Sequence, residues 1–129
     1  MNPQELQNIT EYIDRITADT AEGKITWAKT NPTTFVWKKL VGPNPVAQLS
    51  LQKIVQRRTM MSGVPVRPSI QIVENYVFQA VELPSGSLRL VINTEQDPNT
   101  LPLLKKLFDT ISVTIDREGL NFLKKVIET

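Results

Sequence analysis

The chain contains no cysteine and no histidine. Those absences exclude disulfides, thiolate and imidazole nucleophiles, the usual general base, and the soft ligand sets of structural zinc and iron sites. A hydrolytic centre would have to use Ser/Lys, an N-terminal threonine or a carboxylate pair, and the chain starts at Met1. Glycine is scarce: the only five, Gly23, Gly42, Gly63, Gly86 and Gly119, stand in no phosphate-cradling or dinucleotide motif. No stretch approaches the roughly 18 apolar residues of a membrane span, and the first residues lack the basic and apolar regions of a signal peptide. The expected location is therefore cytoplasmic, with no membrane partner. An enzyme is not expected, and no catalytic, cofactor or metal residue is assigned.

With 40% hydrophobic and 22% charged residues among 129, the composition is that of one soluble domain spanning the whole chain. Leu6, Ile9, Ile13 and Ile16 recur at helical spacing, with Asn2 placed to cap, Pro3 in the first turn and Gly23 to stop the helix. A helix over Pro3 to Glu22 is predicted. The period then changes to two. Ile25 and Trp27 on one side of Asn31-Pro32-Thr33, and Phe35, Val36, Trp37 and Leu40 on the other, predict two strands. Gly42-Pro43-Asn44-Pro45 breaks the chain before a third strand over about Val46 to Arg57, where a bulge near Gln52-Lys53 is expected to absorb the irregular placing of Ile54; a helix would also fit this segment.

Residues Arg58 to Pro68, with two prolines, Gly63 and the Met60-Met61 pair, read as a long loop. From Ile70 the alternation is sustained on both faces to Leu83, which predicts a central strand. Pro84-Ser85-Gly86 turns into a returning strand marked by Leu88, Leu90 and Ile92. Leu101, Leu104, Leu107, Phe108 and Ile111 then form a helical stripe. Asp116 is expected to cap a further short helix with Leu120, Leu123, Val126 and Ile127 on its apolar face. The order of helix, about five antiparallel strands, and one or two helices defines an α+β two-layer sandwich.

Charge is unevenly distributed. Residues 1 to 23 carry five acids (Glu5, Glu11, Asp14, Asp19, Glu22) against Arg15, whereas residues 24 to 67 carry eight bases and no acid. The opposite charges either attract within the monomer or make a dipolar surface for a partner. Lys38, Lys39, Arg57, Arg58 and Arg67 are the candidates for a basic surface, joined by Met60 and Met61 as adaptable apolar contacts. Against a base-stacking role for Trp27, Phe35 and Trp37 stands the ordinary reading of aromatics in short strands as core. The run Glu95-Gln96-Asp97-Pro98-Asn99 is the only oxygen-rich turn, and turn and helix-capping chemistry explains it without a cation.

The leading helix, the Gly23-Lys24-Ile25-Thr26-Trp27 entry into a meander, and the closing Leu104-Lys105-Lys106-Leu107-Phe108 helix together resemble small bacterial or phage-borne domains of helix–meander–helix layout. That resemblance implies a cytoplasmic protein, in a mobile-element or defence-related setting, and names no active residue. The expected function is a non-enzymatic interaction module that self-associates or binds a partner protein. Weak nucleic-acid binding through the basic segment is the alternative, and a carboxylate-plus-divalent-cation enzyme is a distant third.

Overall fold

A computed structural model describes all 129 residues. Helix α1 spans Pro3–Ala21, five strands follow as β1 (Ala28–Asn31), β2 (Thr34–Val41), β3 (Asn44–Ser62), β4 (Arg67–Glu82) and β5 (Ser87–Asn93), and helix α2 spans Leu101–Glu128 after one 3-10 turn at Pro98–Thr100. The strands form one antiparallel sheet in sequence order, so every neighbour in space is a neighbour in the chain. Both helices lie on one face, giving the α+β layout that the sequence predicts.

The start of α1 follows from its first residues. The Asn2 side-chain oxygen accepts the Glu5 N–H at 2.8 Å, satisfying one of the donors a helix start leaves free. Its end lies one residue before the predicted one, and Gly23 adopts a φ of 80°, a left-handed conformation open to glycine at little cost. Ile13 of α1 meets Phe35, Leu51, Phe78 and Ile92 of the sheet and Leu104, Leu107 and Ile111 of α2 in a single core. Phe108 packs into it from α2, with ring centroids 4.8 Å from Phe35 and 5.5 Å from Tyr76.

The sheet departs from the sequence reading in four places. Strand β1 is only four residues long, and Ile25 and Trp27 precede it. They are buried because the chain rising from α1 threads them under the sheet, where the Trp27 indole N–H donates to the Thr20 hydroxyl at 3.0 Å. Strand β3 has no bulge at Gln52-Lys53: its pairing with β4 runs unbroken from Ala47 to Ser62. Ile54 simply occupies the other face, opposite Asn75, and needs no correction of register. Nor is Arg58 to Pro68 a loop, since β3 and β4 continue to Ser62 and Arg67 and only four residues turn between them. Pro65 falls in that turn, and Pro68 is accommodated in β4 because this ribbon has no third strand that would need its missing N–H group. Finally, α2 is one continuous helix of 28 residues, with Asp116 inside it rather than capping a second.

Candidate interaction surfaces

Two parts of the chain extend beyond the packed body. Every residue from Val55 to Ile72 is exposed, as is every residue from Asp116 to Thr129. The first is the outer half of the β3–β4 hairpin. Partnering by β2 stops at Thr34 opposite Gln52, and partnering by β5 stops at Asn93 opposite Val77, so the remainder is a two-stranded ribbon with both edges open. At about 3.3 Å per residue, the ten residues of β3 beyond Gln52 extend roughly 33 Å.

Strand alternation sorts the ribbon into two faces. Val55, Arg57, Thr59 and Met61 lie on the helix-bearing side, opposite Glu74, Ile72, Ile70 and Pro68 respectively. Gln56, Arg58, Met60 and Ser62 lie on the other, opposite Val73, Gln71, Ser69 and Arg67. One face is thus an aliphatic strip interrupted by Arg57; the other is polar and basic. Of the residues singled out in the sequence, Arg57, Arg58, Met60, Met61 and Arg67 come together on this ribbon, although Arg57 and Met61 face away from the other three. Lys38 and Lys39 do not join them. They pair with Gln48 and Ala47 of β3, ten residues before Arg58, which is about 33 Å along the strand.

Within the basic segment three cations have partners. Lys24 pairs with Glu22 at 2.9 Å, Lys53 with Glu74 at 3.3 Å and Arg58 with Glu95 at 3.7 Å. The Glu22 contact pushes the Lys24 ammonium above its ordinary pKa. Glu5, Glu11, Asp14 and Asp19 of α1 form no ion pair, and Glu22 with Lys24 is the one pair that joins the acidic to the basic segment. The oxygen-rich turn is structural: Asp97 lies 3.6 Å from the N-terminal amine, Glu95 pairs with Arg58, and the Thr100 hydroxyl donates to the Asp97 carbonyl at 2.7 Å.

At the root of the ribbon, Lys53 holds its ammonium 5.5 Å from the Phe108 ring centroid while reaching Glu74. Beside it the Tyr76 hydroxyl is buried and has no hydrogen-bond partner. Burial pushes its pKa up to about 12, with the Glu74 and Asp109 carboxylates adding to the effect. A phenol so held stays neutral at ordinary pH and supplies packing.

The second outlying part is Asp116–Glu128, the last 13 residues of α2 and about 20 Å of helix. Leu120, Phe122, Leu123, Val126 and Ile127 are between 52% and 74% exposed there, against 0% for Leu104, Leu107 and Ile111 in the first half. Sequence reading found four of these apolar residues and assigned them to a packed face; Phe122 it missed, because the residue lies off the stripe. Trp27 is buried, whereas Trp37 is half-buried against the core, with ring centroids 6.1 Å apart, so both serve packing. No helix is long and apolar enough to cross a membrane. Comparison with protein families, curated proteins and solved structures finds no match to this chain.

Proposed function

We propose that this protein is a non-enzymatic interaction module that works by presenting the outer half of α2 and the β3–β4 ribbon to other protein surfaces. The observation that carries the reading is the continuation of both elements, regularly folded, well past the core that anchors them. Isolated helices of about 12 to 15 residues are marginal in water, and an open two-stranded ribbon is little better. Large aliphatic side chains on such elements gain little by remaining in water, and contiguous apolar surface of this kind marks contact sites. The lack of histidine and cysteine, together with the structural use of Glu95 and Asp97, supports a role without catalysis.

Light scattering on the purified protein between about 10 µM and 1 mM tests this. A species larger than 14.6 kDa is expected. A strict monomer that also captures no protein from a cell extract would overturn the reading.

The ribbon's Arg57 and Arg67, free of ion pairs, support a second reading, weak nucleic-acid binding. Because Lys38 and Lys39 stand apart, about three phosphates rather than five would be neutralised. Log affinity would then fall with log salt at a slope near 2.7 for duplex DNA, taking ~0.9 per phosphate. No binding to DNA or RNA at low salt removes it.

A further inference from the structure

The outer half of α2 carries its apolar side chains on a wider arc than the inner half. At 100° per residue, Phe122 and Val126 repeat the directions of Leu104 and Phe108, whereas Leu120, Leu123 and Ile127 centre more than a third of a turn away. An extension of this chain's own sheet would therefore not cover those three. Their stripe has its own composition. Gly119 belongs to it, at i, i+4 and i+7 with Leu123 and Val126, although glycine inside a helix costs about 1 kcal/mol relative to alanine. A Cβ at that position would meet nothing within 4 Å, so the monomer has no steric use for the glycine. A bare backbone on an apolar stripe suits the close approach of another helix.

Charge identifies which helix. Asp116, Arg117 and Glu118 at the near end of the segment sum to −1, and Lys124, Lys125 and Glu128 toward its far end sum to +1. The order is self-complementary only when the second helix runs the opposite way. We infer that two copies of this chain pair through the outer halves of α2, antiparallel about a two-fold axis passing between Asn121 and Phe122. This rests on the interaction reading above and names the partner. In that register Leu120 faces Leu123 of the second copy, and Gly119 faces its Lys124. Asp116, the one charge on the stripe, comes within a helical turn of that same lysine. In the monomer Lys124 reaches only Glu128, at 4.0 Å on the exposed surface, a contact weak enough to be exchanged. The isologous geometry closes after two copies and leaves no stripe free for a third. Since a single helix pair falls short of the ~800 Å² per partner of a standard interface, the dissociation constant is expected on the order of micromolar.

Sedimentation velocity on the full chain over about 1 µM to 1 mM tests the pairing. The expected result is a monomer–dimer equilibrium that Leu123→Glu with Ile127→Glu weakens at least ~100-fold. Both side chains are exposed in the monomer, so its melting temperature at low concentration should stay unchanged. Asp116→Lys should weaken dimerisation about tenfold, and Asp116→Lys combined with Lys124→Asp should restore it. Three outcomes overturn the pairing while leaving the interaction reading intact: association that survives the helix variants but is lost in Ile70→Glu with Ile72→Glu, an assembly larger than a dimer, or a double charge exchange that fails to restore affinity. A wild-type chain that remains monomeric at 1 mM overturns the pairing, and with it the self-association arm of that reading.

Discussion

The inner and outer halves of α2 share a helix and differ in nearly everything else. From Leu101 to Ile115 the helix buries Leu104, Leu107, Phe108 and Ile111 against the sheet and α1; from Asp116 onward it buries nothing, although it still carries Leu120, Phe122, Leu123, Val126 and Ile127. Strand β3 is divided in the same way, with Leu51 fully buried in its inner half and Val55 to Ser62 exposed beyond it. In each element local sequence sets the secondary structure across its whole length, whereas burial depends on what lies opposite. Stability is thus concentrated in the inner halves, and the outer halves are free to be used for something else.

Substitutions and titration can break this contrast or sharpen it. The largest effect is expected for Leu107→Ala, which empties a site of zero exposure and should cost about 3 to 5 kcal/mol in urea unfolding; Trp27→Ala, which also removes the hydrogen bond that the Thr20 hydroxyl accepts, should match it. A loss under 1 kcal/mol for either would mean that the inner half is not the stable one. Next comes alkaline pH. Because Tyr76 ionises near 12 in the folded protein and near 10 in the unfolded chain, stability should be independent of this group below pH 10. It should then fall by roughly 2 to 3 kcal/mol as pH rises to 12, a loss absent from Tyr76→Phe when the two are compared by denaturant titration across that range.

Asn2→Ala, which removes the α1 cap, should cost about 1 kcal/mol in the same assay. The smallest effect belongs to the outer halves. Ile70→Ser and Leu123→Ser, measured at concentrations that keep the chain monomeric, should each shift stability by no more than ~0.5 kcal/mol. Hydrogen exchange gives an independent comparison: amides of Val55–Ile72 should exchange far faster than those of Leu49–Leu51, and equal protection in the two stretches would abolish the distinction.

The α1 helix and its cap, the β4–β5 hairpin and the α+β order were legible because each depends on signals within a few residues: Asn2 with Pro3, Pro84-Ser85-Gly86, the switch from period four to period two. The reach of β3 and β4 was not. Gly63 and Pro65 do mark the turn, but Pro68 reads as loop-forming wherever a strand has two neighbours, and only the missing flanking strand makes it compatible with a ribbon. Asp116 misled in a similar way, since an acid before an apolar run is a helix start in isolation and an ordinary surface residue when the helix is already running. Grouping Lys38 and Lys39 with Arg57 and Arg58 failed for another reason. Closeness in composition along the chain says nothing about the strand length that separates them in space.

The unbroken meander carries a consequence for how the chain acquires its structure. Every strand pairs with one adjacent in sequence, so the sheet assembles from local closures of the kind that make folding fast. Leu104, Leu107, Phe108 and Ile111, however, come from the last quarter of the chain. A polypeptide growing from its N-terminus holds α1 and a complete set of strands before the residues that seal them together exist. Until then Phe35, Leu51, Phe78 and Ile92 present a half-covered greasy surface to water or the ribosome exit, and the arrival of α2 converts a loose hairpin array into a protein.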